Sequence, residues 1–221
     1  MMSIIKGKKA VVFDMDNTLY DEGEYFALAF QDFCKKSNLE HLYSKMIDAV
    51  NKHRATSKHV FKDVLNEVGV SFEDYNEALY TSYTTLEATL HLREEVKKGI
   101  ADLRNDNIKV AVLTNGTVAA QKNKVKTLGI ESLVDVVVYA RTWGTEFEKP
   151  HQKPFDEAVR LLGTRYEETL FVGDKPLLDL QPPYAKGGST IWVNGRGLSR
   201  ADMPACIHVE VSKVEEIFKT V

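Results

Sequence analysis

Four short apolar runs of this chain each end in polar residues whose types and spacing could do chemistry. The first ending is Asp14-Met15-Asp16-Asn17-Thr18-Leu19. Asp14 and Asp16 are two apart, so an extended backbone points both carboxylates the same way. Two carboxylates that close do not both ionise cheaply unless a cation intervenes. One charged and one protonated carboxyl suit nucleophilic or ligand work and acid–base work respectively. Asp-rich turns after strands are also common, so the pair alone leaves both readings open. The second ending is Thr114-Asn115-Gly116-Thr117. A small hydroxyl and backbone N–H groups at a helix start make an anion site; Thr117 reads equally well as an N-cap. The third is Lys149-Pro150, where the lysine would be a point charge for a phosphate, with Lys153 as a competitor. The fourth is Gly173-Asp174-Lys175-Pro176-Leu177-Leu178-Asp179. Carboxylate oxygens suit Mg²⁺, although Asp179 also reads as a helix-start residue favoured by the dipole.

These endings need elements to hold them. The runs at 9–13, 109–114, 133–138, 169–173 and 189–193 are short, nearly continuous and rich in β-branched residues. Such runs fit strands buried on both faces of a parallel sheet. Helical patterns lie between them, at roughly 93–105, 117–128, 153–162, 178–186 and 212–219. Strands alternating with helices predict an α/β fold, and in open α/β sheets ligands bind outside the carboxyl ends of the strands. Residues 20–92 break the rhythm. Tyr25, Phe26, Ala29, Phe30 and Phe33 recur at helical spacing, as do Val60, Phe61, Val64, Leu65 and Val68. Gly69 reads as a helix stop, and Ser71 before Glu73 and Asp74 as a start. An inserted all-helical domain is therefore expected at 20–92. The α/β core then comprises 1–19 and 93–221, with short hinges near 18–22 and 88–93.

Composition bounds the partners. Of 221 residues, 43% are hydrophobic and 28% charged, an ordinary globular balance that excludes a disordered or collagen-like chain. The net charge of −3 gives no bulk attraction for nucleic acid or anionic lipid. Cys34 and Cys206 form no CxxC or Cys/His cluster, so they read as reduced core thiols. No apolar run approaches a membrane span. Asp14 and Asp16 interrupt the apolar stretch behind Lys6, Lys8 and Lys9 too early for a signal peptide, so a cytoplasmic location is expected.

In this order, FDMDNTLY, LTNG, EKP and VGDKPLLD resemble the four motifs of the haloacid dehalogenase superfamily. The insertion between the first and second motifs resembles the subclass I helical cap. The resemblance implies a Rossmann-like parallel-sheet core with helices on both faces, and a Mg²⁺-dependent phosphatase. It implies Asp14 as the nucleophile that forms an aspartyl-phosphate and Asp16 as general acid and then base. Thr114 and the Asn115 backbone would bind the phosphoryl group, and Lys149 would neutralise it. The Mg²⁺ site would comprise Asp14, Asp16 through its carbonyl, and Asp174, with Asp179 supporting the metal or its waters. Superfamily dehalogenases lack an acid two places after the nucleophile, so Asp16 favours phosphoryl transfer.

The chain departs from the motif pattern after Asp179. Pro182 and Pro183 fit a helix start but would break an interior, which predicts a helix starting late, near Pro183. Lys175 stands where a small residue is usual; it would either pair with Asp174 or reach toward substrate. Within the insertion, Lys52 to His59 is the most basic stretch. Charge runs usually face water. If this one faces the core, Arg54, Lys58 or His59 would hold a second anionic or polar group of the substrate. Tyr20 and Tyr25 could shape the entrance, Tyr25 reading better as core. Trp143 would line the pocket or merely pack. The expected function is hydrolysis of small soluble phosphomonoesters, of the sugar phosphate or nucleoside monophosphate class. The alternatives are a phosphomutase on the same scaffold and a catalytically silent binding module.

Overall fold

The computed structural model describes residues 4–88 and 90–218. Residue 89 of the expected second hinge and the last expected helical residue, 219, lie outside that range. Six parallel strands form one sheet: β1 (Ala10–Phe13), β2 (Lys109–Thr114), β3 (Val136–Tyr139), β4 (Thr169–Gly173), β5 (Ser189–Val193) and β6 (Val209–Val211). Their order is β3-β2-β1-β4-β5-β6. The order reverses between β1 and β4, the point at which open α/β sheets form a ligand crevice. In register, Phe13 stands beside Val112 of β2 and Val172 of β4. The residues just beyond, Asp14 and Asp174, therefore emerge at one place.

Both faces of the sheet are apolar, as continuous strand runs require. Val11, Phe13, Val110, Val112, Leu170 and Val172 point to one side. There they meet α5 (Glu94–Asn105), α6 (Val118–Thr127) and α9 (Glu215–Phe218). Ala10, Val12, Ala111, Leu113, Phe171 and Trp192 point to the other, against α7 (Gln152–Leu162). Cys34 and Cys206 are both buried and unbridged. Among the described residues no helix is long and apolar enough to cross a membrane.

Between β1 and α5 the chain forms a helical insertion: α1 (Glu22–Ser37), α2 (Tyr43–His53), α3 (Val60–Glu67) and α4 (Phe72–Thr84). Its stops and starts are local. Asp21 caps α1 by accepting from Gly23 N at 2.8 Å, and Ser71 caps α4 by accepting from Asp74 N. Gly69, at φ +76°, follows the end of α3 in a conformation few other residues adopt. The aromatic stripe is core, as its spacing predicts. Phe26, Phe30, Phe61 and Tyr83 meet largely edge to face, and Tyr25 is fully buried.

Three expectations need correction. The run at 133–138 becomes a strand only from Val136, because Asp135 turns its carboxylate to accept from Val110 N at 2.8 Å. Sequence patterning also makes β5 the last strand, but β6 follows it. That edge strand is three residues long, partly exposed and carries Glu210 at its centre, so it lacks an apolar run. Finally, the helical stretch after β4 starts early rather than near Pro183. A π turn spans Pro176–Leu180, and α8 (Gln181–Tyr184) takes both prolines in its first turn, where a missing N–H costs nothing.

Phe30 has no exposure and touches three other rings. Phe30→Ala is expected to destabilise the protein by about 3–5 kcal/mol, read as a lower midpoint in urea unfolding.

Candidate active site

The polar endings of β1, β2 and β4 and the loop carrying Lys149 converge on a cavity of about 470 Å³. Lys149 is its electrostatic centre. Its ammonium donates to Asp14 Oδ1 at 2.6 Å, to Asp179 Oδ1 at 2.7 Å and to Leu113 O at 3.1 Å. All three ammonium protons thus have acceptors. Burial works against this charge, but Asp14 and Asp179 overcome it and hold the pKa of Lys149 well above the ordinary value. The loop is clipped in place by Asn115, whose side chain donates to Lys149 O at 3.0 Å and accepts from Lys149 N at 2.8 Å. Lys153, the competing candidate, instead lies over the Trp143 and Phe147 rings. Trp143 packs against the second core rather than lining the cavity.

Asp179 is 5% exposed, far more buried than an ordinary helix-start carboxylate. Its second oxygen accepts from Lys175 N at 2.9 Å. Gly173 makes that approach possible, since a Cβ there would stand 2.4 Å from Asp179 Cβ. The indole of Trp192 donates to Asp174 O at 3.0 Å and fixes the turn after β4. Lys175 lines the cavity and lowers the proton affinity of Asp174.

Asp14, Asp174 and Asp179 bring carboxylate oxygens within 4.8 Å of one another. One lysine does not balance them. Burial, with Asp179 adding repulsion and Lys149 opposing both, pushes Asp14 up to about 6. Burial, Asp14 and Asp179 together push Asp174 up to about 8. Among the described residues no hydrogen-bond donor meets the Asp174 carboxylate, and Arg196 stands 4.0 Å from it. Hard oxygen donors with a deficit of positive charge fit a divalent cation such as Mg²⁺.

The side chain of Asp16 is not in this cluster. Its Oδ1 accepts from the Tyr20 hydroxyl at 2.6 Å and from Lys124 at 2.9 Å, and its Oδ2 from Gln121 at 3.2 Å. Thr114 is buried and lines the cavity beside Asn115, Gly116 and Thr117. Thr117 stands at the N-cap of α6 but makes no capping hydrogen bond with its side chain. Arg54 and Lys58 of the insertion also line the cavity, so the basic stretch does face the core in part. Arg54 already donates to Asp21 Oδ1 at 2.7 Å. His59 is exposed and outside the lining.

Several contacts at the site have no assignment in the sequence reading, although Thr18 and Glu148 lie within FDMDNTLY and EKP. Thr18 donates to Asp14 Oδ2 at 3.1 Å. Glu148 accepts from Gly116 N at 2.6 Å and holds Arg141 through both oxygens. Lys124 is one of three lysines in α6, yet it has no exposure.

The haloacid dehalogenase-like hydrolase family matches residues 11–193. The glyceraldehyde 3-phosphate phosphatase of Methanocaldococcus jannaschii is 28% identical over 83% of each chain. The phosphoglycolate phosphatase of Aquifex aeolicus is 30% identical over 75% of this chain and 76% of its own. A magnesium-bound HAD-hydrolase of Bacillus subtilis, YfnB, superposes with a TM-score of 0.71 at 20% identity, covering 96% of this chain and 97% of that one.

The raised carboxyls predict a pH-dependent metal effect. Folded Asp14 and Asp174 hold protons more tightly than ordinary aspartates, whose pKa is about 3.9. The metal-free protein therefore loses their contribution to stability as pH rises from about 4 through 6 to 8. A divalent cation removes that penalty. The Mg²⁺-induced gain in Tm is expected to be larger at pH 8 than at pH 5, measured by thermal melts with Mg²⁺ and with chelator.

Proposed function

This chain belongs to the haloacid dehalogenase-like hydrolases, and from that premise we propose that it hydrolyses small soluble phosphomonoesters with Mg²⁺ through an aspartyl-phosphate on Asp14. The observation that carries this reading is the Lys149–Asp14–Asp179 cluster beside Asp174, at the carboxyl ends of β1 and β4. We take residues 20–92 as a cap domain over a core of residues 1–19 and 93–221.

Asp14 attacks phosphorus. Its Oδ1 is held by Lys149 and its Oδ2 by Thr18, so the nucleophile has little rotational freedom. Lys149 offsets charge on the phosphoryl oxygens, and Thr114 and the backbone after β2 bind them. Asp14, Asp174 and the Asp16 carbonyl would hold the cation, with Asp179 behind them. A bound cation would neutralise the phosphoryl oxygens so that two anions can meet. Asp16 gives its proton to the leaving alkoxide and then takes one from the hydrolytic water. That water opens the aspartyl-phosphate and frees Asp14.

Relatives named for glyceraldehyde 3-phosphate and phosphoglycolate support small, polar leaving groups. Arg54 and Lys58 on the cavity wall support a second anionic or polar group on the substrate. Sugar phosphates and nucleoside monophosphates are the classes to test first, with phosphoglycolate alongside.

Phosphate release from such a panel is expected to need Mg²⁺ and to fall to background in Asp14→Asn, which keeps the wild-type circular dichroism. Release that survives in Asp14→Asn, or that ignores chelator, contradicts the reading. Lys58→Ala is expected to raise KM for doubly anionic esters about 2- to 5-fold, the worth of an exposed ion pair. Its kcat should stay near wild type.

A further inference from the structure

We propose that Lys124 is a positioning residue for the proton-transferring carboxylate of Asp16, held in place by Glu22 of the helical insertion. This inference rests on the reading of Asp16 as general acid and base.

Lys124 lies on α6 and has no exposure. Its ammonium donates to Asp16 Oδ1 at 2.9 Å and to Glu22 Oε1 at 2.7 Å. It also stands 5.3 Å from the ring centroids of both Tyr25 and Tyr83, a favourable setting for a desolvated cation. The Tyr83 hydroxyl approaches the same Glu22 oxygen at 3.4 Å. Tyr25, Tyr83 and Glu22 belong to the insertion, whereas Asp16 follows β1 of the sheet. One buried cation therefore joins the turn after β1 to α1 and α4. A charge this buried persists only with its counter-ions. Burial alone would lower its proton affinity, but Asp16 and Glu22 reverse that.

The contacts also separate the two oxygens of Asp16. Oδ1 accepts from both Tyr20 and Lys124, which occupies its lone pairs. Among the described residues Oδ2 meets only the Gln121 amide, at a longer 3.2 Å. The proton therefore travels on Oδ2. As the ester P–O bond breaks, that proton passes to the leaving oxygen. In the second half, a water proton returns to Oδ2 while the water oxygen bonds phosphorus and the P–O bond to Asp14 breaks. Lys124 keeps Oδ1 turned inward, so Oδ2 faces the cavity in both halves.

Leaving-group dependence tests this. An alkyl ester needs the proton, whereas p-nitrophenyl phosphate releases a stable anion and needs it far less. Lys124→Met is expected to lower kcat/KM for phosphoglycolate about 100-fold, within the range of lost general acid catalysis. Its kcat/KM for p-nitrophenyl phosphate, which reports only the half-reaction that releases the alcohol, should fall much less. Lys124→Met also leaves Asp16 and Glu22 unpaired, so its Tm should drop. Adding Glu22→Gln is expected to restore much of the Tm but not the alkyl turnover, which a merely structural role would restore together.

Equal losses of kcat/KM for both esters, or recovery of alkyl turnover with Tm in the double variant, would overturn the proposal. Should Lys124→Met not fold, Glu22→Gln alone is expected to raise the aryl-to-alkyl ratio of kcat/KM, and an unchanged ratio overturns the proposal. Asp16→Asn separates the two layers. An unchanged ratio in Asp16→Asn means that the general-acid reading itself fails. A shifted ratio there with none in Lys124→Met means that the role of Lys124 alone fails.

Discussion

Everything at this site depends on one ammonium group held out of water. Lys149 reaches Asp14 after β1, Asp179 beyond β4 and a carbonyl of β2 at once. It ties together the strands on both sides of the point where the sheet order reverses. Removing one partner of such a buried pair typically costs about 3–5 kcal/mol, because the other charge is left stranded. The surrounding design follows from that cost. Asn115 clips the Lys149 loop through two backbone groups, Gly173 lets Asp179 approach, and Trp192 anchors the turn that carries Asp174. Even so, Lys149 bonds two of the three carboxylates, and burial, with repulsion among the aspartates, raises the proton affinity of Asp14 and Asp174. The site is electrostatically incomplete without a further positive charge. Attack by an anion on an anionic ester needs that same charge.

A second buried cation lies where the turn after β1 meets the helical insertion. Lys124 lies beneath Asp16 and links it to Glu22 and the two tyrosines of the insertion. On the proposed reading, the sheet supplies the nucleophile, while the seam with the helical insertion surrounds the carboxylate that would carry the proton. Tyr20 and Gln121 complete a collar around Asp16. The two aspartates of the first motif thus differ through their neighbours. Asp14 faces Lys149 and the acidic cluster, and Asp16 faces Lys124.

Much of this was legible in the sequence because it is written in short-range patterns. Five continuous apolar runs mark five strands, and the residues ending three of them, β1, β2 and β4, meet at the site with the Lys149 loop. The i, i+3, i+4 aromatic spacing at 25–33 marks the core of the insertion. What was not legible depends on long-range geometry. Lys124 sits among three lysines on a helix with almost no apolar face, and only the packing of α1 and α4 against it shows that it is buried. Thr18 lies within the first motif, but its hydrogen bond to Asp14 shows only in the fold. The edge strand β6 is too short and too polar to announce itself. Pro182 and Pro183 look like late helix starters because a π turn has no sequence signature of its own.

The central claim is that Asp14 carries the phosphoryl group. Rapid mixing with a phosphomonoester and Mg²⁺, followed by quenching, borohydride reduction and peptide mass spectrometry, tests it directly. An acyl phosphate at Asp14 would be reduced to homoserine at that position. The account predicts this conversion at position 14 and nowhere else. An active enzyme that shows no conversion under single-turnover conditions, or shows it at another carboxylate, would contradict it.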